Sequence, residues 1–172
     1  MINRNLADGL NFLSKLTFRR IRNAFSIWLS FYLSKNTKKV NIKAFPTSLA
    51  IEPTTSCNLR CPECPSGLRS FTRPTGMLDL KIYKKIITEL APTLTYLTLY
   101  FQGEPYLHSS FFELIQIASD RKIYTATSTN AHYLSEENSI KTVRSGLDRI
   151  IISIDGTTQE TYEQYRIGGN LN

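Results

Sequence analysis

Three cysteines stand within eight consecutive positions, Cys57-Asn58-Leu59-Arg60-Cys61-Pro62-Glu63-Cys64, and no other cysteine occurs in the 172 residues. Thiolates are soft ligands suited to iron-sulfur clusters and zinc. Three on one short loop can hold three irons of a cubane 4Fe-4S cluster and leave the fourth iron open to a small molecule. An open iron is a place for chemistry. Cys61 and Cys64 have the spacing of a zinc knuckle, but closed structural zinc needs four ligands. The only histidines, His108 and His132, lie far downstream without the short spacing of a finger. A disulfide would leave one thiol odd, and the start of the chain lacks the apolar core and small-residue cleavage site of a secretory signal. Pro62 and Pro65 each lack an N–H and restrict the preceding residue, which predicts a stiff extended loop rather than a helix here.

Such a loop must be carried by regular elements. From Ser48 onward, short apolar runs alternate with helical patterns, the signature of strand-helix units carrying a parallel sheet. Leu49–Glu52 is the first predicted strand and leads straight into the cysteines. Asp79 is a candidate N-cap for a helix with Leu80, Tyr83, Ile86, Ile87 and Leu90 at helical spacing, stopped by Pro92. Leu94–Tyr100 is strongly β-prone and ends in the loop Phe101-Gln102-Gly103-Glu104-Pro105. Ser109 or Ser110 caps the next predicted helix, and Ile123–Ser128 forms a third strand ending at Asn130. Ser135 and Gly146 bracket another helix. Arg149–Ile154 is the fourth strand, ending at Asp155-Gly156, and a last helix starts near Thr158 and is cut off around Arg166 to Asn172.

Four strands thus end in polar or glycine-bearing loops. In parallel α/β architecture ligands sit at the carboxyl ends of strands, so one ligand could touch all four. Taken singly, Gly103 and Gly156 serve as turn formers, Asn130 as a turn residue and Asp155 as a cap. Their common address favours function.

With Cys57-x3-Cys61-x2-Cys64 after a first strand and Gly103-Glu104-Pro105 after a second, residues 48 to 168 resemble the radical SAM enzyme family, and most closely its SPASM-type branch. The resemblance implies an α/β fold, a partial (β/α) barrel of the radical SAM type with about four parallel strands here, and the periodicity of the first segment places an N-terminal amphipathic helix before it. It implies a 4Fe-4S cluster on Cys57, Cys61 and Cys64, with S-adenosylmethionine chelating the open iron through its amino and carboxylate groups. Reductive cleavage would then yield a 5′-deoxyadenosyl radical that abstracts hydrogen from a substrate. Gly103 and Glu104 match the family's residues that meet the methionine amino group. Ser153 and Asp155 fall where the family contacts ribose hydroxyls or the methionyl part, and Asn130 matches its strand-three asparagine. Two positions depart from the pattern: Gln102 replaces a common glycine, and Glu63 replaces an aromatic residue. The implied partners are a substrate of unspecified identity, with a peptide or protein among the candidates, and an electron donor such as flavodoxin or ferredoxin. The family barrel has six strand-helix units, so a chain with four is expected to be incomplete at its C-terminal end. A non-catalytic iron-sulfur-binding fragment is therefore the competing expectation.

The composition, 41% apolar with 11% aromatic residues, is that of a globular domain. Charge is uneven: residues 1 to 45 hold nine of the 21 Lys and Arg but only one of the 14 acids, Asp8. Residues 1–47 thus read as a basic amphipathic helical segment and linker, with 48–172 as the core domain. Leu6, Leu10, Leu13, Leu16, Ile21, Ala24, Ile27, Trp28 and Phe31 recur near helical spacing, with Lys15, Arg19 and Arg22 on another face. The favoured expectation is that this apolar stripe packs on the domain. Peripheral membrane contact through residues 8–34 is the alternative, since Arg19, Arg20, Arg22 and Asn23 interrupt any membrane span. The expected location is cytoplasmic, with the membrane surface as a second address. No nucleic-acid partner is expected, because the basic residues lack a reading motif. A zinc-binding membrane-surface or nucleic-acid module is the weakest alternative, as it leaves Gly103-Glu104-Pro105 unexplained.

Overall fold

β-Branched and aromatic runs recur with helical stretches between them, and in the computed structural model, which describes residues 4–171, each run pairs with the next. The strands β1 (Ser48–Ala50), β2 (Tyr96–Thr98), β3 (Tyr124–Thr129) and β4 (Arg149–Ile152) lie side by side in chain order, all parallel. Their register sets Leu49 beside Leu97, Leu97 beside Thr125, and Thr129 beside Ile152. Three of the regular strands are shorter than predicted, while β3 keeps its six residues one position further on. Single bonds prolong the ladder at their carboxyl ends, from Ile51 N to Thr98 O (2.9 Å), Leu99 N to Ala126 O (2.8 Å) and Ser153 N to Thr129 O (2.9 Å).

Helices α4 (Leu80–Leu90), α5 (Phe111–Ser119) and α6 (Glu136–Arg144) connect the strands, and α7 (Gln159–Tyr165) follows β4. Asp79 caps α4 by accepting from Lys81 and Ile82 N–H, and Ser135 caps α6 by accepting from Asn138 N–H. Gly146 follows α6 with a φ of 80°, as a helix stop requires. The core lies between sheet and helices: Leu97 and Leu99 meet Tyr83 and Ile87 of α4 and Phe111, Leu114 and Ile115 of α5. Each such side chain contributes roughly 1.5–3 kcal/mol on burial. Tyr83 hides its hydroxyl by donating to the Leu114 carbonyl at 2.7 Å.

Two expectations are corrected. The cysteine loop ends in a short helix, α3 (Pro65–Leu68), with Pro65 at its first position, where the missing N–H costs nothing. The front segment is two helices, α1 (Arg4–Ser14) and α2 (Phe18–Thr37), rather than one. Thr17 caps α2, and the buried Arg20 guanidinium folds back to the Lys15 carbonyl at 2.6 Å. Arg20 also donates to Ala91 O and Arg121 O, both at 2.9 Å, and to Lys122 O. These carbonyls end α4 and α5, where the helix dipoles favour a cation. The α1 helix is held by Asp8, which pairs with Arg149 and accepts from the Tyr124 hydroxyl, and by Lys15 on Asp148 at 2.9 Å. Both helices therefore cover the amino-terminal ends of the strands.

Candidate active site

The opposite, carboxyl-terminal ends of the strands surround a cavity of about 190 Å³. Cys57, Cys61 and Cys64 line it from the loop after β1, Gly103 and Glu104 from the loop after β2, Asn130 from the end of β3 and Ser153 from the end of β4. Seven of the eight residues singled out in the sequence thus meet in one space.

All three cysteines are free thiols. Cys57 Sγ accepts from Leu59 N–H at 3.5 Å, Cys61 Sγ accepts from Arg166 Nη1 at 3.8 Å, and Cys64 Sγ donates to Gln102 Oε1 at 3.4 Å. Burial pushes the Cys57 thiol up, and the nearby Glu104, Cys61 and Cys64 add to that. The loop is held tightly. A Cβ on Gly67 would stand 2.4 Å from the Cys61 carbonyl oxygen, so only glycine lets α3 fold back on it. Gln102, one of the two departures from the family pattern, also accepts from Ser66 Oγ at 3.3 Å. Glu63, the other, is exposed.

Gly103 has a φ of 78°, and a Cβ there would lie 2.1 Å from Thr54 O, which explains the residue type. Its N–H donates to Ser66 Oγ at 2.9 Å, and the next N–H, of Glu104, donates to Ser56 O at 2.7 Å. Glu104 is only 2% exposed. Its Oε1 accepts from Thr129 Oγ1 (2.7 Å) and Tyr106 N–H (3.3 Å), and its Oε2 accepts from Asn130 N–H (2.9 Å). Burial raises the Glu104 carboxyl above its ordinary value, and these donors, with His132, oppose that rise. Glu104 is thus held in place by its donors and, among the described residues, has no cation paired with it.

Asn130 Nδ2 donates to Asn58 Oδ1 at 2.8 Å, tying the end of β3 to the cysteine loop, and Ser153 shares a hydrogen bond with Ser128 at 3.0 Å. Asp155 is placed otherwise. It does not line the cavity; its Oδ2 pairs at 2.5 Å with Arg166 Nε, and Arg166 does line it. Arg166 is the residue that sequence reasoning missed, together with Tyr165 and Thr129. Its only sequence signal was its position after an amphipathic helix, a poor guide among 21 Lys and Arg.

Residues 51–171 match the radical SAM superfamily. The chain belongs to this superfamily. Over 121 residues it is 31% identical to the AdoMet-dependent heme synthase of Methanosarcina barkeri, covering 70% of this chain and 34% of the relative. Over 127 residues it is 28% identical to the PqqA peptide cyclase of Bradyrhizobium diazoefficiens, covering 74% and 33%. The chain therefore spans about a third of the length of these curated relatives. Crystal structures of Streptococcus suis SuiB, bound to S-adenosylmethionine or to its precursor peptide SuiA, share the fold with a TM-score of 0.60 in each case. They are 18% and 17% identical, with 80% of this chain and 31% and 30% of SuiB covered. The relatives belong to the SPASM-type branch, as the sequence resemblance implied.

Radical SAM proteins use a 4Fe-4S cluster and S-adenosylmethionine, and the residues present fit both. Among the described residues no three histidine, cysteine, aspartate or glutamate side chains converge to hold a single ion. A cubane asks for something else: thiolates set around a space, each on its own iron. The cavity supplies that, and beside the thiols it presents one buried carboxylate and one guanidinium. The amino-acid end of S-adenosylmethionine, an ammonium beside a carboxylate, is the complementary pair.

Proposed function

We propose that residues 48–172 form the cofactor-binding core of a radical SAM enzyme, with residues 1–47 as an attached basic segment. The observation that carries this reading is that three free thiols, a buried Glu104 and Arg166 face one cavity. Cys57, Cys61 and Cys64 would hold the 4Fe-4S cluster, whose reduction supplies the electron that splits S-adenosylmethionine into methionine and a 5′-deoxyadenosyl radical. Glu104 would accept from the methionine amino group, and Gly103 brings the loop close enough for it to do so. Arg166, steadied by Asp155 at Nε, would donate to the methionine carboxylate from the guanidinium hydrogens that Asp155 leaves free. Asn130 and Ser153 offer hydrogen bonds to the remaining polar groups of the nucleoside.

The electron comes from a low-potential donor such as flavodoxin or ferredoxin. A peptide is the proposed substrate class, supported by the peptide cyclase among the relatives and by the precursor peptide bound to SuiB. A second reading has one specific observation in its favour: Ile150, Ile151 and Ile152 of β4 are exposed, so the sheet is uncovered on the side of the cavity formed by β4. In that reading the chain binds cluster and S-adenosylmethionine without turnover, because water reaches the site.

Anaerobic reconstitution with iron and sulfide is expected to give 4Fe-4S absorption and resonance spectra that vanish in Cys61→Ala. Stoichiometric zinc without iron would refute the proposal. Adding S-adenosylmethionine and a strong reductant is expected to release 5′-deoxyadenosine. Cluster formation with no release above background would decide for the second reading.

A further inference from the structure

The orientation of α2 is the reverse of what its composition predicts. A surface helix ordinarily buries its apolar stripe and exposes its polar one. Here Arg20, Asn23 and Ser30 are the buried side chains. Asn23 exchanges two hydrogen bonds with the Phe45 backbone, at 2.7 and 3.0 Å, and Ser30 Oγ accepts from Lys43 N–H at 3.4 Å. Arg20, Asn23 and Ser30 thus hold α2 to the domain and to its own following segment. The outward face carries Phe18, Ile21, Phe25, Trp28, Leu29 and Tyr32, with Phe18 81%, Phe25 60% and Trp28 54% exposed. At 1.5 Å per residue this stripe runs for about 21 Å. Its aromatic rings run side by side as a ridge, with centroids 5.6 Å apart for Phe25 and Trp28 and 5.3 Å for Trp28 and Tyr32, and Ile21, Phe25 and Trp28 also form one wall of an open apolar groove of about 700 Å³ shared with Phe12, Thr95 and Tyr96. Beyond the helix, Val40, Ile42 and Phe45 are also exposed.

Charge identifies what this face fits. Arg19, Arg22, Lys35, Lys38, Lys39 and Lys43 are all exposed, and among the described residues none of the six forms an ion pair. The single acid of the segment, Asp8, is already engaged by Arg149 and Tyr124. Among the described residues no helix is long and apolar enough to cross a membrane. An aromatic ridge flanked by unpaired cations, on a helix too polar to span, is the chemistry of insertion into an anionic lipid interface.

We propose that α2 docks this protein on anionic membrane surfaces, with Phe25, Trp28 and Tyr32 at headgroup depth and the flanking cations on lipid phosphates. The helix lies at the amino-terminal ends of the strands, so docking leaves the cavity at their carboxyl ends clear. This inference is independent of the cofactor reading, because it uses no residue of the cavity.

Trp28 is the only tryptophan, so the full chain reports on itself. With vesicles of phosphatidylcholine and phosphatidylglycerol, the protein is expected to co-float, with Trp28 emission shifted to the blue and quenched by brominated acyl chains. Vesicles of phosphatidylcholine alone should retain far less. Each Lys or Arg near an anionic surface strengthens binding about five-fold, so Lys35, Lys38 and Lys39 changed together to Gln should weaken it roughly a hundredfold. Phe18→Ser with Phe25→Ser, both exposed and so tolerated by the fold, should abolish the blue shift while circular dichroism is unchanged. Absence of flotation on the mixed vesicles would overturn the proposal. So would flotation with Trp28 unquenched, which places another face on the lipid, or a concentration-dependent dimer that shifts Trp28 emission without lipid, which assigns the ridge to a second copy of the chain.

Discussion

Replacing Glu104 by Gln isolates the charge that the site directs at its ligand. The shape is kept, and the hydrogen bonds nearly so. The Gln carbonyl can accept from Asn130 N–H, the bond that Glu104 makes at 2.9 Å, while its NH2 turns to Thr129 Oγ1, whose hydroxyl can rotate to accept. The bond from Tyr106 N–H at 3.3 Å loses its acceptor, and so does the Thr129 hydroxyl hydrogen. Fold stability should therefore fall by roughly 1–3 kcal/mol, the cost of leaving buried donors unpaired. Ligand binding should change as well. A hydrogen bond to a charged group contributes roughly 1.5–3 kcal/mol, so affinity for S-adenosylmethionine should fall roughly ten- to hundredfold. Acidity gives a second handle. Burial raises the Glu104 carboxyl, so in the free protein the proton-linked stability is full below the ordinary glutamate value and is lost as pH rises through the raised one. The ligand amino group donates more strongly to the ionised form, so affinity should fall as pH drops through that same window. In Glu104→Gln the Glu104 contribution to both dependences should vanish. Isothermal titration of S-adenosylmethionine across that range, with melting curves on the same samples, measures all of this. Wild-type affinity in Glu104→Gln, or an unaltered pH profile, would refute the assignment of the methionine amino group to Glu104.

Gly103→Ala places a Cβ 2.1 Å from the Thr54 carbonyl in a left-handed backbone, and overpacking with that strain should cost roughly 3 kcal/mol. Thermal melting should show a fall of roughly 6–12 °C, and an unchanged midpoint would mean that the loop relaxes freely. Arg20→Met leaves the carbonyls of Ala91, Arg121 and Lys122 without their donor and should cost roughly 3–5 kcal/mol. Amide exchange is expected to accelerate in α1 and α2 while β3 stays protected; uniform acceleration would show that these helices unfold with the core.

Local signals were the legible ones. Asp79, Ser135 and Thr158 each announce a helix start because a short oxygen side chain captures amides two or three residues on, and all three cap as their positions imply. Strand order was legible as well, since β-prone runs separated by helices leave few arrangements other than neighbouring parallel strands. Boundaries were not, because Tyr100 and Ile154 are as β-prone as the strands they follow, and only a partner across the sheet ends a ladder. The front segment misled for a physical reason. Helical periodicity identifies an apolar stripe but not which stripe faces the domain, and Arg20 reverses the usual choice by finding three carbonyls 71 to 102 residues away.

The amino-acid sequence alone marked out the residues of the proposed site: Cys57, Cys61 and Cys64 on one loop, and Gly103-Glu104 on a loop after the second strand. Spacing along one loop and the strand-helix period are properties of neighbouring residues, so they survive without the fold. Tertiary structure alone decided that Arg166 stands over Cys61 with Asp155 behind it, and that α2 turns its polar face inward. Both depend on groups brought together from distant parts of the chain, and a buried guanidinium goes where packing has gathered acceptors for it.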